Sequence, residues 1–206
     1  MARESRYVKE LFSRDHSALQ ALARVGVAST DQLYRYCGVN DKRAIKLKNS
    51  GYIRIEKLTV QGQLQKIVHL TPEGQKYCSN KYMIHQFPGW QTNHLVHDLK
   101  LSEAYFKFVP ELRPKWENEN QILSANSQIK RGSCIDAMIT ITLKDYLKMA
   151  EMNESMQLLD PATLEMASDT EISVGIESIG GSYTSAEIEA KIDTAVNLGC
   201  VVVMTV

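Results

Sequence analysis

DKRAIKLKNSGYIRIEKLTVQGQLQKIVHLTPEG, residues 41–74, carries the pattern on which the fold turns. Its first nine residues read as a short basic helix capped by Asn40, with Ala44, Ile45 and Leu47 turned inward and Lys42, Arg43, Lys46 and Lys48 turned largely outward. Gly51 ends that helix. Two β-rich runs follow, residues 52–60 and 64–70, and Gln61-Gly62-Gln63 joins them as a hairpin. Thr71-Pro72-Glu73-Gly74 then provides an N-cap, a proline at the first helical position and an acid in the first turn of a helix through about Lys81.

Upstream, residues 16–25 place Leu19, Leu22, Ala23 and Val25 on one helical face before Gly26. Residues 27–32 offer a cap for a second helix that carries Leu33, Tyr34 and Cys37 and closes at Gly38. Short helix, tight turn and basic helix form the helix-turn-helix arrangement, in which the last helix lies in the major groove of DNA. With the hairpin and the following helix added, residues 1–82 resemble the winged-helix families of bacterial regulators. The segments KNSGYIRIEK and VHLTPEGQKY carry that resemblance. It implies DNA contacts by Lys42, Arg43, Lys46 and Lys48, with Gln61 and Gln63 at the wing tip. Winged helices also serve as protein-docking modules, so the fold alone leaves the partner open.

The chain has 206 residues, 44% hydrophobic and 23% charged, which is enough apolar material for a packed core. No apolar run is long enough for a membrane span and the N-terminal stretch has no signal-peptide pattern. Cys37, Cys78, Cys134 and Cys200 are scattered without a CxxC pair, and a reducing, cytoplasmic compartment is expected. The formal net charge of zero is a cancellation. Residues 1–82 hold 15 Lys/Arg against 7 Asp/Glu, and residues 83–206 hold 9 against 17. The basic half has the sign that suits a polyanion; the acidic half calls for a different partner.

In residues 90–206 the expected elements are a helix over 92–108, strands over 116–123, 135–143, 172–179 and 200–206, a short helix over 145–152 and a long one over 184–198. The apolar run at 200–206 predicts a buried central strand. Leaving the short helix aside, the order is αβββαβ, and the whole chain is of the α+β class. That order resembles the restriction-endonuclease-like core, in which an Asp at the start of the second strand and a Glu in the third hold a divalent metal, with a Lys two residues beyond. Asp136 and Glu177 match those places, but the position for the Lys is held by Ile179; Lys191 on the next helix is the only substitute in sight. The expectation is a nuclease-like domain without activity, whose two carboxylates repel each other unless a cation joins them.

Other constellations are weaker. His94, His97 and Asp98 share one helical face but lack a third ligand nearby, and Gly180-Gly181-Ser182 lacks the pattern of a phosphate-binding loop. No metal site and no cofactor is expected. Taken over its length, with His97-Asp98-Leu99 in the long helix and Asp136, Glu177 and Lys191 beyond it, the chain is similar to the replication-relaxation family of plasmid and mobile-element proteins. The resemblance implies a sequence-specific double-stranded DNA-binding protein, a regulator or a replication or relaxation accessory factor. A homodimer is expected, since two-fold operators need two recognition helices. The acidic domain would serve dimerisation or a protein partner. The alternative is a metal-dependent nuclease delivered by its winged helix.

Overall fold

A computed structural model describes residues 5–152, 168–179 and 183–206 of the chain. It is a mixed α+β structure that divides into two compact units, Met1–Glu103 and Ala104–Val206. No helix of the described residues is long and apolar enough to cross a membrane.

In the first unit, α1 (Ser13–Val25), β1 (Val27–Ser29), α2 (Thr30–Cys37) and α3 (Asp41–Asn49) precede a hairpin of β2 (Ile53–Val60) and β3 (Gln63–Leu70), and α4 (Pro72–Tyr82) follows. The helix caps act through the residues the sequence offers: Ser29, Asn40 and Thr71 side chains each accept a backbone N–H from the third helical residue. The hairpin turn is tighter than the three residues expected. Val60 pairs with Gln63, and Gln61 and Gly62 both adopt positive φ, 49° and 78°, as a primed two-residue turn requires. The strand β1 has no counterpart in the sequence reading, which takes from this stretch only the cap of α2, yet its three residues pair antiparallel with Ile67–His69 of β3 and are buried. The Thr-Pro-x-Gly segment is explained by close packing. Thr71 donates to Gly51 and Tyr52 carbonyls, and a Cβ on Gly74 would fall 2.0 Å from the Tyr52 oxygen, so no other residue fits there.

The division between units does not fall after residue 82, where the charge split suggested. The first unit also takes in residues 83–94 and the first nine of the thirteen residues of α5 (Leu95–Lys107). Leu95 is buried with Val27, Val60 and Ile67, Trp90 lies against His69 at 4.9 Å between ring centroids, and Ser102 donates to the Val27 carbonyl. The hydrophobic surface that β1 and the hairpin leave uncovered explains why the chain stays on this unit for another twenty residues.

The second unit contains a four-stranded sheet of order β4-β5-β6-β7, formed by Trp116–Asn118, Ala137–Thr142, Glu171–Glu177 and Cys200–Thr205. The first three strands run antiparallel and β6–β7 is parallel, the crossover being made by α8 (Ser185–Asn197). Helices α6 (Glu119–Ala125) and α7 (Leu143–Met152) lie between strands. Two expectations fail here. The strand over 116–123 is three residues long and gives way to α6, because Asn118 and Gln121 close a capping box that starts a helix. The strand at 200–206 is an edge strand, not a central one, and only Met204 in it is fully buried. Its apolar side chains serve the packing of one face: Cys200 and Val203 lie against Ile122, Cys134, Ile135 and Ala195. Residues 153–167 and the Gly180-Gly181-Ser182 motif fall outside the described residues.

Candidate nucleic-acid interface and a buried carboxylate–lysine cluster

Helix α3 divides its side chains differently from the simple amphipathic reading. Ala44 and Leu47 are buried, but Ile45 is 52% exposed and shares the outer face with Lys42, Lys48 and Asn49. Lys46 is half-buried. Arg43 is the main correction. Its guanidinium is only 10% exposed and is fully engaged inside the unit: Nε and Nη2 donate to the two carboxylate oxygens of Asp15 at 2.8 and 2.5 Å. Nη2 also reaches the Glu10 carbonyl at 2.7 Å, and the group lies 5.0 Å from the Phe12 ring centre. The hydrogen bonds to Asp15 raise the Arg43 pKa further above its ordinary value, although burial opposes this. Asp15 is wholly buried and also accepts from the Phe12 N–H at 2.7 Å. Arg43 therefore cannot read a base edge; it joins α1, α3 and the N-terminal segment. Sequence reading missed this because a helical wheel sees one helix, whereas the partner lies 28 residues upstream.

Three further acids of this unit are also paired. Asp41 binds Lys66 of the hairpin, and Asp31 binds Arg35 at 2.5 Å. Glu103 accepts from Tyr36 and, at 3.0 Å, from Gln32. Lys42 and Lys48 make no ion pair among the described residues. At the hairpin tip Gln61, Gln63 and Leu64 are exposed, Leu64 to 69%.

In the second unit the three residues singled out as acid, acid and lysine do meet. The antiparallel register that sets Ala137 opposite Ile176 places Asp136 beside Glu177 at the ends of β5 and β6. Asp136 N donates to Glu177 Oε2 at 3.2 Å, and Ser178 N donates to Asp136 Oδ2 at 2.8 Å. Lys191 reaches over from α8: its Nζ is 2.6 Å from Glu177 Oε1 and 3.9 Å from Asp136 Oδ1. It also donates to the Cys134 carbonyl at 3.0 Å and faces the Tyr183 ring at 5.3 Å. Burial, together with the Asp136 carboxylate, pushes Glu177 up to about 7. Burial alone would lower the Lys191 ammonium, but Asp136 and Glu177 outweigh it and the net shift is upward. The expected repulsion between the carboxylates is thus relieved in part by Lys191, which the sequence pattern could name but not place.

A divalent ion does not fit this donor set as it stands. Lys191 already takes Glu177 Oε1, backbone N–H groups take one oxygen of each carboxylate, and among the described residues no group of three His, Cys, Asp or Glu assembles as a metal site. His97 Nδ1 and Asp98 Oδ1 lie 3.1 Å apart, while His94 is exposed in the turn before α5. The four cysteines are free thiols; burial pushes Cys78 and Cys134 up to about 12, far from a reactive thiolate.

No family model matches the chain. No curated protein and no solved structure matches it either.

Proposed function

We propose that the first unit is a winged helix and that the chain is a sequence-specific double-stranded DNA-binding protein. The observation that carries this reading is the allocation of charge around α3. Asp15, Asp31 and Asp41 are each neutralised by an internal partner, whereas Lys42 and Lys48 are exposed and unpaired among the described residues. The surplus cations, not the paired ones, set the field a phosphate backbone meets. In this reading Lys42, Ile45 and Lys48 enter the major groove, Lys46 supports them, and Gln61 and Gln63 follow the adjacent backbone. The acidic unit supplies homodimerisation or docking of a protein partner. The resemblance to replication-relaxation proteins makes a regulator or replication accessory factor of a plasmid or mobile element the best-supported role, in a reducing cytoplasm that suits four free thiols.

Selection of the full chain against a random duplex pool tests this. One enriched sequence is expected, and Lys42→Ala with Lys48→Ala should lose it; absence of both enrichment and salt-sensitive retention would refute the reading. The alternative, a metal-dependent nuclease, is favoured by the meeting of Asp136, Glu177 and Lys191 alone. Nicking of supercoiled DNA with Mg²⁺ or Mn²⁺, abolished by Asp136→Ala, would put it first; no nicking is expected, because Lys191 already compensates the carboxylates.

A further inference from the structure

Residues 5–12, before α1, form no helix or strand, yet they are tied to α3 at three points, two at its C-terminal end and one in its first turn. Asn49 Nδ2 donates to the Arg6 carbonyl at 3.1 Å, Val8 N donates to Ser50 Oγ at 2.8 Å, and Arg43 Nη2 donates to the Glu10 carbonyl at 2.7 Å. Each tether uses a backbone group of the arm. The side chains are thereby left free, and Arg6, Tyr7 and Lys9 are exposed, Tyr7 to 61%. Neither Arg6 nor Lys9 makes an ion pair among the described residues. The Arg6 carbonyl rests on Asn49, the residue next to Lys48, and Glu10 lies at Arg43, so the arm runs back along α3 and begins beside the turn that carries Lys48.

We infer that this arm is a second DNA-contacting element, in which Arg6 and Lys9 bind backbone phosphates flanking the groove that α3 occupies. The inference rests on the DNA-binding reading above and extends it to residues outside the helix and the hairpin. The physical reason is preorganisation. A free N-terminal tail loses conformational entropy when it binds, whereas an arm already held by three hydrogen bonds presents its cations with less to lose. Phosphate contacts of this kind position a protein without reading sequence. Arg43 is then a positioning residue: it never touches DNA but fixes the arm and the helix in one frame through Asp15 and Glu10.

The test is equilibrium binding of the full chain to a 30-base-pair mixed-sequence duplex, measured as a function of salt. Each phosphate-contacting cation adds about one to the slope of log affinity against log salt. The double variant Arg6→Ala, Lys9→Ala should flatten the slope by about two and leave the melting temperature unchanged, since both side chains are exposed. Glu10→Gln, which removes the acid of the arm and keeps its carbonyl, should tighten binding. Wild-type binding that is lost in Lys42→Ala, Lys48→Ala but unaltered in the arm variants would overturn the arm and leave the DNA-binding reading standing. No salt-sensitive binding by the wild type would overturn both.

Discussion

Among the described residues, each unit buries a cluster of ionic side chains, and the two differ in how charge is matched. In the first unit Asp15 and Arg43 form a one-to-one, doubly hydrogen-bonded pair whose oxygens are further satisfied by Phe12 N–H. In the second unit two carboxylates, Asp136 and Glu177, share the single ammonium of Lys191. Matched charge gives each partner a counter-ion of its own. Where two acids share one cation, burial and the Asp136 carboxylate raise the pKa of Glu177, which is only 3% exposed.

The largest effect should come from breaking the matched pair. Arg43→Met or Asp15→Asn is expected to cost about 3–5 kcal/mol of stability, checked by chemical denaturation. A stable Arg43 variant that merely binds DNA less well would restore Arg43 to the interface and remove the clasp.

Lys191→Met should behave differently. At pH 8 it leaves two buried carboxylates without a cation, a loss of about 2–4 kcal/mol; at pH 5.5 Glu177 takes up a proton and the loss should shrink. The wild type carries a smaller version of the same dependence. Because Glu177 is raised from its ordinary value near 4.5 to about 7, its contribution is fully present below the unfolded value and is lost as pH rises through about 7. Stability should therefore fall by about 1–3 kcal/mol from pH 5 to pH 8 on account of this group. Glu177→Gln should flatten that slope, and an unchanged slope would mean that Lys191 holds Glu177 ionised.

Much of this was legible in the chain because it is local. Caps at Ser29, Asn40 and Thr71, the alternation of Ala137, Ile139 and Ile141 in β5, and the glycine of the Thr-Pro-x-Gly turn announce themselves within a few residues. What escaped reading is set by distant partners. Arg43 looked like a groove residue until Asp15 claimed it, β1 had no strand signature until β3 lay beside it, and the run at 200–206 was apolar enough for a sheet centre yet forms an edge. The candidate site of the second unit stands between these cases. Composition named Asp136, Glu177 and Lys191, but only strand register and the position of α8 bring them together.

The smallest effect concerns the hairpin tip. Gln61 holds φ at 49°, a region that costs a side chain such as glutamine about 1 kcal/mol and suits asparagine or glycine better. Gln61→Asn should raise stability by about 0.5 kcal/mol and, if the tip follows the backbone of DNA, should weaken duplex binding slightly. A gain in stability without any loss of binding would remove the tip from the interface.

The central claim is that DNA meets the unpaired cations of the first unit and not the carboxylate–lysine cluster of the second. Amide hydrogen exchange of the full chain, with and without a saturating duplex, tests it most directly. Slowed exchange is predicted over residues 5–10, 41–50 and 60–64, with no change at Asp136 and residues 177–179. Protection confined to Asp136 and residues 177–179 would contradict the account and place the DNA at the buried acids.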